Sequence, residues 1–294
     1  MAEVVFQRLT LIGLGLIGSS VARAAKATGA VGEVVACDAD AAVLARVAEL
    51  GIADRVESDP ATAVTGADCV MLCVPVGALA EVAAAIAPHL AQDAVLTDVG
   101  STKVSVIRDV GPLVPAGVHF VPGHPLAGTE FSGPDAGFAT LFEGRWTLLV
   151  PPPGTEAAAV DRMTALWRRF GSMTEIMEPA HHDRVLAIVS HLPHLLAFTI
   201  CGTADDLADE SRQEVLRFAA SGFRDFTRIA ASDPTMWRDV FLNNREALLE
   251  MLARFTEDAQ AMARAIRWGD SAYIEDRVLR GRKIRRSLID LKQA

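Results

Sequence analysis

From residue 3 to residue 150 the chain repeats one cycle: a short apolar run, a turn, then an alanine-rich stretch with helical periodicity. The apolar runs are Leu9–Gly13, Val34–Cys37, Cys69–Val74, Val95–Thr97, His119–Val121 and Thr147–Val150. Each has strand length and is bounded by Gly, Pro or Asp. They are apolar throughout rather than alternating, which predicts a mainly parallel sheet covered by helices on both faces. Pro151, Pro152, Pro153 and Gly154 interrupt any element. Thr155–Phe170 then reads as a helix and Met173–Met177 as a last strand, so a first, α/β domain is predicted for residues 1–179. From Ala180 the strand signals stop. Apolar positions spaced i, i+3, i+4 continue through Val185–Leu207, Glu214–Ala231, Met236–Arg267 and Ser271–Leu291. Residues 180–294 are therefore predicted to be all-helical. Four or five helices in so short a span leave apolar faces uncovered, which predicts a homodimer joined through this second domain.

Composition narrows the functional classes. A chain of 294 residues suits two domains, and 51% hydrophobic with 22% charged residues excludes whole-chain disorder. With 28 Lys and Arg against 37 Asp and Glu, the formal charge is −9, which argues against a nucleic-acid partner. The basic segment Arg277–Lys292 is interleaved with Leu279, Ile284, Leu288 and Leu291 and reads as a solvated amphipathic helix. Cys37, Cys69, Cys73 and Cys201 lack C-x-x-C spacing; Cys69 and Cys73 on one strand would lie about 13 Å apart, too far to bridge. Free thiols in a reducing cytoplasm are expected. Val185–Thr203 carries no Asp, Glu, Lys or Arg, yet it holds Ser190, His191, Pro193 and His194, so a buried helix is expected and no membrane partner. Residues 1–10 carry Glu3 and Arg8 and run straight into an apolar strand, so no export signal is expected.

A cofactor motif sits at the first strand–helix junction. Gly13, Gly15 and Gly18 form G-x-G-x-x-G. Gly13 permits the tight turn, Gly15 lets the backbone approach a pyrophosphate, and Gly18 lets helix and strand pack closely. Leu16 and Ile17 open the helix whose N-terminus would hold the phosphates. Asp38 ends the next strand, 20 residues after Gly18, where a carboxylate accepts hydrogen bonds from ribose hydroxyls and repels a 2′-phosphate. This Rossmann-type arrangement predicts NAD in preference to NADP. The competing reading is a glycine turn that only tightens packing, with Asp38 capping the next helix.

Ligands of doubly wound sheets lie beyond the carboxyl ends of the strands. Two polar segments are predicted there, Thr97–Lys103 and Gly123–Glu130. His124 is the candidate general base for oxidation of a hydroxyl, and Ser101 is a candidate to orient it or to cap a helix. His191 and His194 lie at i, i+3, either side of Pro193. With His181 or His182 they invite a metal reading, but adjacent histidines diverge on a helix, and no metal is expected. Core packing is the other reading. Pro193 is tolerable if Ser190 caps a new turn; otherwise it marks a kink.

These segments resemble the prephenate/arogenate dehydrogenases of tyrosine biosynthesis. The resemblance rests on His124-Pro125-Leu126-Ala127-Gly128-Thr129-Glu130 with Ser132-Gly133, on Ser190-His191-Leu192-Pro193-His194, and on Gly222 to Ala230 leading to Asp233-Pro234 and Met236-Trp237. With the glycine motif they cover residues 8 to 245. The resemblance implies NAD-linked oxidative decarboxylation: hydride leaves the ring carbon bearing the 4-hydroxyl, and the ring carboxylate departs as CO2. It implies that His124 takes or polarises the hydroxyl proton with support from Ser101, and that Arg228 holds the ring carboxylate, as a bidentate guanidinium suits. It places Asp225 and Glu130 beside Arg228, His191 near the cofactor, and His194 and Thr129 near the substrate side chain. Trp237 would reach a neighbouring subunit's pocket. No appended mutase or regulatory domain is expected, so any feedback by tyrosine would be competitive. Prephenate and arogenate both remain open as substrates. A β-hydroxyacid dehydrogenase is disfavoured because residues 180–282 contain no lysine. A catalytically silent NAD sensor is the rival outside enzymes.

Overall fold

The computed structural model describes residues 4–207, 213–214 and 217–290. Glu3, Leu291, Lys292 and part of the 214–231 stretch lie outside the described residues. Six strands, β1 (Phe6–Ile12), β2 (Val31–Cys37), β3 (Arg55–Glu57), β4 (Cys69–Leu72), β5 (Val95–Asp98) and β6 (His119–Phe120), form a parallel sheet in the order β3-β2-β1-β4-β5-β6. The order reverses between β1 and β4, where Ile12 pairs with Leu72, and this switch point opens the crevice beyond the strand ends. Helices α1 (Leu16–Thr28), α2 (Ala41–Leu50), α3 (Pro60–Val64), α4 (Leu79–Ile86) and α5 (Val104–Val110) follow successive strands.

Two apolar layers clamp the sheet. Leu9, Leu11, Val34 and Met71 belong to one, with Val21 of α1 and the Phe142, Trp167 and Phe170 rings, Trp167 meeting both phenylalanines edge-on. Val35, Val70, Leu72 and Leu96 belong to the other, with Leu79, Ile86 and Val110. This two-sided burial is why the strands read as unbroken apolar runs.

The single predicted sheet divides in two. β7 (Gly123–Pro125), β8 (Trp146–Leu149) and β9 (Met173–Ile176) make a separate three-stranded sheet, with β7 antiparallel to β8 and β9 parallel to it. Pro122, which has no N–H, separates β6 from β7, and its carbonyl accepts from Val150 N instead. Helix α6 (Ala157–Arg169) lies between β8 and β9 in the chain, close to its predicted bounds.

The first helix of the helical region starts at Pro179 rather than at the predicted Val185. α7 (Pro179–Leu186) begins with Glu178 capping Ala180 N and His181 N and with Pro179 at the first helical position. It runs through a π-turn, Ala187–His191, into α8 (Leu192–Asp205). In that turn Leu192 N bonds Ala187 O, five residues back, which lets Pro193 follow without ending the helix. Ser190 does not cap a turn here. The stretch Pro179–Asp205 is long and apolar enough to cross a membrane by length and composition. The predicted helix 214–231 is interrupted at residues 219–220, leaving α9 (Ser221–Thr227) and a 3-10 turn, Arg228–Ala231. The predicted helix 236–267 breaks at Asn244, between α10 (Pro234–Asn243) and α11 (Arg245–Trp268). α12 (Ser271–Asp290) follows.

Within the chain, residues 1–245 form one compact unit and residues 246–294 another. The second unit is a helical pair turned at Gly269, whose φ is +69°, and tied by an Arg277–Asp258 ion pair. It exposes Leu249, Phe255, Ile266, Trp268, Val278 and Ile284.

Candidate active site

The glycine turn has the geometry of a dinucleotide cradle. Gly13 has φ +96°, and a Cβ there would meet Cys73 O at 2.7 Å. A Cβ on Gly18 would stand 2.0 Å from Gly13 O. Gly15 is different: nothing lies within 4 Å of the position its Cβ would occupy. That open space lies against the first turn of α1, at Leu16 and Ile17, whose N-terminus has no side-chain cap and no acidic residue. Unsatisfied N–H groups beside an open floor fit a pyrophosphate. Asp38 Oδ2 accepts from Leu14 N at 2.7 Å and Oδ1 from Asp40 N at 3.0 Å, so this carboxylate braces the turn. The cap of α2 is Asp40, which accepts from Ala42 N; Asp38 does not cap it.

His124 is buried on β7 rather than in a loop. Its Nδ1 lies 2.9 Å from Nε2 of His182, and Nδ1 of His182 lies 2.7 Å from Oδ1 of Asp183. Asp183 also accepts from the backbone N–H groups of Lys103 and Val104, at 2.7 and 3.0 Å. No hydrogen bond from Ser101 to His124 is present among the described residues, and His182 holds the His124 Nδ1. Burial, reinforced by His182, Lys103 and His191, holds the His124 imidazole well below its ordinary value, so it is neutral near pH 7.

Two buried charges behind it fall in the predicted Thr97–Lys103 segment, where the sequence reading gave them no role. Lys103 is wholly enclosed and pairs with Asp98, which also accepts from Gly100 N. Burial lowers the Lys103 ammonium and Asp98 opposes that shift. His182 was weighed only as a metal ligand, and Asp183 and Asn244 were not singled out. The only signal was position: Asp98 and Lys103 flank a predicted strand end, and His182-Asp183 stands one turn into a helix.

Asn244 occupies the helix break and donates from Nδ2 to Asp183 O at 2.8 Å and to His191 Nδ1 at 2.9 Å. An accepting Nδ1 puts the His191 hydrogen on Nε2, and that buried atom has no partner within hydrogen-bond geometry, although the Ser101 carbonyl approaches the ring. Burial pushes the His191 imidazole down to about 4. A buried donor without a partner points to a ligand acceptor. The residues present therefore fit a nicotinamide dinucleotide.

His194 donates from Nδ1 to Ser190 O at 2.9 Å and stacks on Trp237, with ring centroids 3.7 Å apart. Trp237 also meets His191, Phe198 and Phe241. Within its own chain Trp237 is buried among the aromatic rings of α8 and α10. Arg228 pairs with Glu130 at 3.3 Å, and its side chain is 60% exposed. Asp225 makes no ion pair with Arg228; the guanidinium turns to the 124–130 segment instead of along its own helix. Thr129 lies exposed on that segment, its hydroxyl accepting from Phe131 N. No three His, Cys, Asp or Glu side chains among the described residues converge as metal ligands.

Comparison with known proteins decides the family. Residues 21–176 match the nucleotide-binding domain of prephenate dehydrogenase, and residues 178–278 match the dimerization domain of prephenate dehydrogenase. The chain belongs to the prephenate dehydrogenase family. It is 43% identical to the cyclohexadienyl dehydrogenase of Zymomonas mobilis over 97% of both chains. It is 34% identical to a prephenate dehydrogenase of Lactococcus lactis, over 96% of this chain and 77% of that one. Among solved structures, the prephenate dehydrogenase of Aquifex aeolicus with hydroxyphenyl propionate and NAD+ superposes with a TM-score of 0.88 at 32% identity, covering 98% of this chain and 99% of that one. This member is accordingly an enzyme, a nicotinamide-linked dehydrogenase of tyrosine biosynthesis with a dimerisation domain. The silent-sensor reading falls, and so does the β-hydroxyacid dehydrogenase.

Proposed function

We propose that this enzyme oxidises and decarboxylates prephenate, arogenate or both, with NAD as its preferred cofactor, to give 4-hydroxyphenylpyruvate or tyrosine. The observation that carries the reading is the sharing of one segment. His124 opens it as a buried neutral imidazole, and Glu130 ends it holding Arg228. A base and a carboxylate-binding cation are thereby assigned to one cleft. His124 takes the proton of the ring hydroxyl as hydride leaves the carbon that bears it, the bond to the ring carboxylate breaks to release CO2, its electron pair aromatises the ring, and the proton returns to the resulting phenolate oxygen. The nicotinamide, when bound, supplies the hydride acceptor. Arg228 exchanges Glu130 for the substrate carboxylate, which orients the ring. Gly13, Gly15, Leu16, Ile17 and Gly18 hold the pyrophosphate, and His191 Nε2 donates to the cofactor. Asp38 favours NAD because its carboxylate repels a 2′-phosphate. His194 and Thr129 serve the substrate side chain, with Trp237 fixing His194 by stacking. Ser101 assists through its backbone beside His191. The exposed apolar side chains of residues 246–294 suit a homodimer, and the four free cysteines suit the cytoplasm.

Steady-state rates with prephenate and arogenate, each with NAD and NADP, test the reading. Turnover of at least one substrate, with kcat/KM higher for NAD, is expected. Turnover of neither, or preference for NADP, would refute the corresponding part.

A further inference from the structure

The hydrogen-bond chain behind His124 has only one consistent set of proton positions. The Asp183 carboxylate accepts, so the facing Nδ1 of His182 carries a hydrogen. His182 is wholly buried, and burial lowers its imidazole despite Asp183, so the ring is neutral and its Nε2 holds a lone pair. That Nε2 stands 2.9 Å from Nδ1 of His124. Two facing lone pairs would repel; His124 Nδ1 therefore carries a hydrogen and donates. The remaining nitrogen, Nε2, is the lone pair free to take a proton.

We propose that Asp183 and His182 are positioning residues that hold His124 in the tautomer able to act as a base through Nε2, and that they balance the charge it acquires. When Nε2 gains the hydroxyl proton, the Nδ1–H bond to His182 becomes charge-assisted, and the Asp183 carboxylate at the far end opposes the new charge. The anchor is rigid. Asp183 is fixed by two backbone N–H groups at the start of α5, and its own carbonyl accepts from Asn244. The other titratable groups facing the pair are Lys103, neutralised by Asp98, and His191. The inference rests on His124 being the proton acceptor.

The test uses ring nitrogens in the intact enzyme and two substitutions. In 15N-histidine-labelled wild-type protein, the His124 signals, identified by their loss in His124→Asn, should be those of an Nδ1–H ring. An Nε2–H ring would overturn the inference without any variant of residue 182. His182→Asn places an amide where Nδ1 stood and leaves nothing facing His124; kcat should fall about 100-fold with KM little changed. His182→Gln places an amide oxygen where Nε2 stood and should recover at least about tenfold of that loss. Wild-type kcat in both variants would overturn the relay. If His124→Asn itself kept its turnover, the proton-acceptor reading would fail first, so the two failures are distinguishable.

Discussion

The proposed chemistry rests on a single imidazole and a single guanidinium whose surroundings are opposite. His124 is enclosed and neutral, so as the proposed base it offers a vacant lone pair without a competing water shell. Arg228 is exposed and tied to Glu130 through one contact at 3.3 Å. An exposed pair of this kind contributes about 0–1 kcal/mol, so releasing Glu130 to receive a substrate carboxylate costs little. Trp237 makes the converse point. Stacked on His194 and ringed by Phe198 and Phe241, it spends its surface inside its own chain. Aromatic packing of this sort contributes roughly 0.5–1.5 kcal/mol per pair beyond the area it buries.

The β1 turn and α1 separate two glycine requirements that the sequence motif runs together. Gly18→Ala drives a methyl into the Gly13 carbonyl and should lower stability by about 1–3 kcal/mol. Gly15→Ala meets nothing within 4 Å and should leave the melting temperature unchanged while weakening dinucleotide binding, measured by titration with NAD. A destabilised Gly15→Ala protein that still bound NAD normally would contradict the cradle. Elements of this kind were readable in advance because one residue type served one local need: apolar runs for buried strands and Gly for the turn. What stayed hidden was long-range. Gly123-His124-Pro125 has no strand propensity and becomes β7 only because β8 pairs with it. His182 meets His124 and Asn244 meets His191 across at least 53 residues of sequence, and the π-turn that seats His191 leaves no periodic mark.

Across the molecule, neutral buried histidines couple folding to acidity. His124, His182, His191 and His194 are all held below their ordinary value, chiefly by burial. In the unfolded chain they protonate near pH 6.5, so below that the unfolded state binds more protons and stability falls as pH falls. The loss runs from about 6.5 down to about 4, where His191 titrates in the fold, at up to ~1.4 kcal/mol per pH unit for each ring. Thermal melts should therefore show the transition temperature dropping steadily between about pH 7 and about pH 5; a flat profile would contradict neutral burial. The same enclosure that destabilises the fold in acid keeps the base available at neutrality. The most direct test of that division of labour measures kcat and the substrate dissociation constant together in His124→Asn and Arg228→Gln. His124→Asn should lose about 100-fold or more in kcat while binding substrate nearly as tightly, and Arg228→Gln should weaken binding more than turnover. Tight binding in Arg228→Gln, or undiminished kcat in His124→Asn, would contradict it.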